Sequence, residues 1–226
     1  MSKKAKKPEC PGPEPEVSPL APRSNQKFQP VDLVILGKGA SEQAGLMSSV
    51  ATGCETWGVT TQRHPQLTML FEMHRLTERH LAINPVQLLS EYPVVMQKKY
   101  AGIPRAVRYP IEAVSAYFGG CRYFNSTVAY MLAFAIFLER FKRIMLAGVD
   151  YDIRIRHEFM YERPNLEFWI GWAFAKGIDV VFPDQSTIMT TAPGVRGLMY
   201  AYDQTEILRL QAKAADAEPE LPEVAT

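Results

Sequence analysis

Two short apolar runs, each closed by a glycine, constrain this chain more than any other feature. Val31-Asp-Leu-Val-Ile-Leu36 ends at Gly37, and Arg143-Ile-Met-Leu-Ala147 ends at Gly148. Nearly continuous runs of four to six apolar residues are the mark of strands buried on both faces, which occur where helices cover both sides of a parallel sheet. The stretches between such runs carry helical signals. Glycine and Ser41 precede a helix-compatible segment to about Ala51, and Thr56–Thr60 and Thr68–Glu72 read as two further strands with His64-Pro65 marking the turn between them. Tyr92–Met96 reads as a fourth, with Pro93 at the strand start where proline is tolerated. Ile111–Phe118 reads as a short helix stopped by Gly119-Gly120. Asn125 or Ser126 can cap a helix reaching about Arg140, and its apolar residues on nearly every face call for deep burial. Leu166–Lys176, with Gly177 as its C-terminal cap, leads into a last strand at Ile178–Phe182.

Strands alternating with helices predict an α/β fold of Rossmann-like build, a mainly parallel sheet with helices on both faces. A domain over residues 31–211 suits a chain of 226 residues. Residues 1–30 hold seven of the 17 prolines and the cluster Lys3, Lys4, Lys6 and Lys7, a composition expected to be disordered. Residues 212–226 form a second, mildly acidic tail with the same expectation. A formal net charge of +1 gives no general case for nucleic acid, leaving only the basic N-terminal tail as a contact for it. Three cysteines without a CxxC spacing argue against a disulfide framework and a zinc site. No apolar stretch reaches membrane-spanning length and no signal-peptide core opens the chain, so the expected location is the cytoplasm. Oligomeric assembly is left open.

Ligands of open parallel sheets bind beyond the carboxyl ends of the strands, so the residues just after each strand are the candidates. Gly37-Lys-Gly-Ala-Ser41 follows the first strand. Its glycines allow close backbone approach to an anion at a helix N-terminus, or serve a tight strand–helix turn. Glu72 and His74 alternate onto one side of the third strand's end, as an acid–base pair or hydroxyl-orienting pair, or with Glu72 bridged to Arg75 or Arg79. Asp150 and Asp152 follow Gly148 and suit a divalent metal, a ribose or a turn cap. Beyond them Arg154, Arg156, His157, Glu158, Tyr161, Glu162 and Arg163 crowd one segment, a composition shared by sites for anionic substrates and by solvated loops. Asn125 and Ser126 combine a capping role with access to a base, phosphate or sugar.

Three motifs in order, Gly37-Lys-Gly-Ala-Ser41, Asn125-Ser-Thr-Val-Ala-Tyr-Met131 and Ile144-Met-Leu-Ala-Gly-Val-Asp150, resemble a group of Rossmann-like transferases. The group includes bacterial CMP-sialic acid-dependent sialyltransferases and pyrophosphokinase-like proteins related to the archaeal enzyme acting on 6-hydroxymethyl-dihydropterin. With Trp57-Gly-Val, Phe71-Glu-Met-His74, Tyr109-Pro-Ile-Glu112, Arg163-Pro-Asn165 and Trp169-Ile-Gly171 added, the string looks like phage-encoded relatives of that group, which would place the protein in a host cytoplasm. The resemblance spans about residues 31–190, with Ala40 where the sialyltransferase loop has proline. It implies a nucleotide or nucleotide-sugar donor, with Mg²⁺ accompanying it. Gly37, Gly39 and Ser41 would lie against its phosphates or ribose, Asn125 and Ser126 would face the donor, and Asp150 would close the site. Glycosyl or pyrophosphoryl transfer would then use Arg154, Arg156 or Arg163 to neutralise the leaving group and His157 or Glu158 to deprotonate the acceptor, with Glu72 and His74 binding substrate. The competing expectation is a nucleotide-binding or assembly module without turnover.

Overall fold

A computed structural model of the chain describes residues 30–83, 86–152, 156–190 and 209. Both expected tails lie outside these residues except for Pro30, as does Arg154. The elements run β1 (Leu33–Leu36), α1 (Glu42–Thr52), β2 (Glu55–Val59), β3 (Met69–Glu72), α2 (Glu78–Ile83), α3 (Val86–Glu91), β4 (Val94–Met96), β5 (Ala106–Arg108), α4 (Ile111–Tyr117), α5 (Thr127–Phe137), β6 (Arg143–Ala147), α6 (Phe159–Ala175) and β7 (Asp179–Val181). Seven strands form one sheet in the order β5-β4-β3-β2-β1-β6-β7, and every pairing is parallel. The fold is α/β and Rossmann-like.

The order reverses once. From β1 to β5 the chain steps steadily to one side, then returns to place β6 against the free edge of β1, with Leu33 opposite Ile144 and Leu36 opposite Ala147. Right-handed crossovers in opposite directions must cover opposite faces of a sheet, so the two halves of the chain build two cores. One face packs Val34, Leu36, Leu70, Val94 and Met96 against Leu46 of α1 and Leu89 of α3. The other packs Leu33, Ile35, Trp57, Phe71 and Leu146 against α5 and α6 through Met131, Leu132, Trp169 and Ile170. β1 is buried along its whole length because both faces and both edges are taken. Helix α5 reads as apolar on all sides for a related reason, being enclosed by the sheet, α4 and α6.

Where the structure departs from expectation, the departures are local. Residues 60–68 link two parallel strands without a helix, and the buried Gln62 holds this short crossover by accepting from Val59 N–H and donating to Gly37 O. β5, α2 and α3 have no counterpart in the sequence reading. Helix α6 begins at Phe159, seven residues before the expected Leu166, so Glu162, Arg163 and Pro164 are helical rather than loop residues. No helix among the described residues is long and apolar enough to cross a membrane.

Candidate functional site at the carboxyl edge of the sheet

A parallel sheet that reverses its order opens a crevice beyond the strands flanking the reversal, here β1 and β6. The glycines that end these strands meet there. A Cβ on Gly37 would stand 2.1 Å from Gly148 O, and Gly148 itself has φ of 66°, so only glycines allow the two strand ends to touch. Ser41, at the start of α1, ties the ends together. Its Oγ accepts from Gly148 N–H at 2.7 Å and donates to Asp150 Oδ1 at 2.6 Å, and its backbone N–H donates to Asp150 Oδ2 at 3.1 Å. A Cβ on Gly39 would lie 2.2 Å from that same carboxylate, so the glycine loop is shaped around Asp150. The Asp150 backbone is held as well, its carbonyl accepting from the Thr187 hydroxyl.

Two strands away lies a second polar group. Glu72 closes β3 and is buried to 1 % exposure, whereas the His74 side chain keeps 62 %. Glu72 Oε1 accepts from His74 N–H at 2.9 Å and contacts His74 Nδ1 at 2.7 Å, while Oε2 accepts from Thr60 Oγ1 at 2.8 Å across the β2–β3 edge. Burial alone would raise the Glu72 carboxyl, but the hydrogen bonds from His74 and Thr60 outweigh it and hold the carboxyl below its ordinary value. The same bond to Glu72 raises His74 against the opposing effect of burial, and the charge of Glu162 adds to the rise. A buried carboxylate on Nδ1 fixes the imidazole's orientation and leaves proton exchange to Nε2, the division of labour of an acid–base histidine.

Helix α6 and the end of β6 complete this group. Glu162, half-buried in the first turn of α6, has its carboxyl raised by burial and by the charge of Glu158. It interacts with the buried Tyr151 hydroxyl and, through its charge, with His74. Burial pushes the Tyr151 phenol far up, the hydrogen bond to Ser126 opposing and Glu162 reinforcing the shift. Ser126 also caps α5 by accepting from Ala129 N–H at 3.2 Å. Thr60, Glu72, His74, Ser126, Tyr151 and Glu162 therefore form a polar chain running from the end of β2 to the end of β6. No family model, no curated protein and no solved structure matches this chain.

Set against this chain, the expected residues separate. Gly37, Gly39, Ser41 and Asp150 come together as one clasp, and Glu72, His74 and Ser126 join the polar chain. Asn125 keeps an exposed side chain, and its N–H donates to the buried Asn165 Oδ1 at 2.8 Å. Arg156 pairs with Glu158 and lies over the Phe159 ring, and Arg163 is spent on Glu167 Oε1 at 2.9 Å and Thr190 O at 3.1 Å. His157 is exposed, with its ring edge-on to Tyr161 and no side-chain hydrogen bond among the described residues. Thr60 was not among the expected site residues, and Glu162 was named only within the charged segment, with no role of its own. For Glu162 a signal existed: positions 162, 165, 166, 169, 170 and 173 share one helical face, and the last five are buried.

Proposed function

We propose that this protein is a cytoplasmic transferase that takes a nucleotide or nucleotide-sugar donor in the β1–β6 crevice and uses His74 as the proton acceptor for glycosyl or pyrophosphoryl transfer. The observation that carries this reading is the exposed His74 imidazole held on Nδ1 by the buried Glu72 carboxylate, two strands from the crevice that the sheet order creates and on the same edge. At the roughly 4.8 Å strand spacing, β3 and β6 stand about 15 Å apart, a span suited to a nucleotide reaching from Asp150 to His74. Asp150 keeps a spare lone pair on each oxygen for ribose hydroxyls, and the exposed Lys38 of the same loop supports the phosphates. Among the described residues no three His, Cys, Asp or Glu side chains converge on a metal, so Mg²⁺ would arrive with the donor phosphates.

His74 takes the acceptor's proton through Nε2, and the Glu72 carboxylate stabilises the imidazolium that results. This assigns to His74 the acceptor-base role that the sequence suggested for His157 or Glu158. A screen of nucleotides and nucleotide sugars by thermal shift identifies the donor, since a ligand bound only by the folded state raises Tm. His74→Gln should then lower turnover about 10²- to 10⁴-fold while leaving donor affinity intact. Unchanged turnover in a folded His74→Gln protein removes His74 from the mechanism. The alternative, a nucleotide-binding module without turnover, is favoured by one observation: the Asp150 carboxylate already sits on the N-terminus of α1. A donor that binds and is never consumed decides for the module.

A further inference from the structure

Farther along the same edge, beyond β5, a cavity of 230 Å³ opens between the first turns of α4 and α5, lined by Ile111, Glu112, Arg122, Phe124 and Tyr130. Its volume falls below the roughly 300–1,000 Å³ typical of sites for drug-sized ligands, so a single ring or short chain fits. Charge is unevenly committed around it. Glu112 accepts from Arg108 at 2.6 Å, whereas the exposed Arg122 guanidinium has no ion pair among the described residues, leaving one net positive charge at the rim. The aromatic wall is fixed and closed to stacking. Phe124 lies between Tyr130 at 4.4 Å and Trp169 at 4.8 Å, nearly parallel to both, so an entering group meets ring edges and the half-buried Tyr130 rather than an open aromatic face. A flat nucleobase gains little there. A saturated, hydroxylated ligand gains more, with C–H groups against Ile111 and the ring edges, hydroxyls toward Glu112, and an oxyanion on Arg122, whose fork of donors matches carboxylate or phosphate.

We propose that this cavity is the acceptor subsite of the transferase and takes a small hydroxylated organic anion, its carboxylate or phosphate on Arg122 and a hydroxyl on Glu112. The assignment rests on the donor reading above, since donor, His74 and acceptor would then lie in order along one sheet edge from β6 to β5. Walls fixed before the ligand arrives keep the ordering cost of binding low.

Calorimetric titration of the full chain with glucuronate, glucose 6-phosphate and glucose tests it. The expected result is that at least one anion binds about tenfold or more tighter than glucose, the two anionic arms telling carboxylate from phosphate. Arg122→Gln should lose that preference about tenfold or more, with an unchanged Tm and unchanged affinity for the nucleotide found in the donor screen. Equal binding of glucose and both anions, or an anion affinity indifferent to Arg122→Gln, overturns the subsite. Nucleotide binding without any anion binding overturns it too and leaves the donor reading standing. Anion binding through Arg122 without any nucleotide affinity keeps the pocket and sinks the donor.

Discussion

The ionised state of Glu72 and His74 depends on pH from two sides. Glu72 is held below its ordinary value of 4.5 in the fold, so its contribution to stability is complete above 4.5 and fades as pH falls through the lowered value. His74 is raised above 6.5, so its contribution is complete below 6.5 and fades as pH climbs through the raised value. The stability difference between the wild type and His74→Gln should therefore be greatest between about pH 4.5 and 6.5 and shrink on both sides, read as Tm against pH. A difference that stays flat from pH 3 to 9 would mean that the two groups do not form an ion pair. Turnover by the proposed mechanism would have a different optimum. A base must be unprotonated to act, so a rate limited by His74 should rise through a pH above 6.5, in the range where the ion pair is lost.

Among the elements, α6 does most to shape the site's surroundings. Asn165 is fully buried and holds the segment entering α5 by donating to Tyr123 O at 2.8 Å and accepting from Asn125 N–H, while Trp169 donates to the same Tyr123 carbonyl. Asn165→Leu should cost about 1–3 kcal/mol in a denaturant titration, since it strands a backbone N–H. It should also speed amide exchange at residues 121–126. Unaltered stability would show that the segment is held without Asn165. The same helix explains what the sequence concealed. Its N-cap and first turns carry Glu158, Glu162, Arg163 and the helix-interior Pro164, a surface that resembles a charged loop, and so Glu162 was read as one loop charge among several. β1 and β6 were legible because strands enclosed on every side need unbroken apolar runs. β5 was not, because an edge strand of three residues with only Ala106 buried leaves no such run. The six-residue helices α2 and α3 are too short to display a period. The Glu72–His74 pairing could be read from strand alternation alone, whereas Thr60 joins it only through the β2–β3 register.

Over the whole molecule, the pairing of β1 with β6 joins residues more than a hundred positions apart and lies at the centre of the sheet, enclosed by helices on both faces. The centre of the sheet should then be the last part to open. In native-state hydrogen exchange, the amides of Val34, Ile35 and Leu36 should report the free energy of global unfolding, while those of β5 and β7 exchange through smaller openings. Equal protection across all seven strands would contradict this gradient.

Seen from the crevice, the Ser41–Asp150 clasp makes the protein its own competitor. A phosphate seeking the backbone N–H groups at the start of α1 must displace a carboxylate that is covalently tethered, present at an effective concentration on the order of millimolar. Under the proposed donor reading, free phosphate would be turned away, while a ligand that brings ribose hydroxyls for Asp150 would have no need to evict it. Asp150→Ala should consequently move two affinities in opposite directions, tightening inorganic phosphate and weakening a phosphate-free nucleoside, both measured by calorimetry. If the two move together, the carboxylate does not sort ligands in this way. If they part, a residue that fills the anion seat also decides which anions are admitted: those that arrive attached to a sugar.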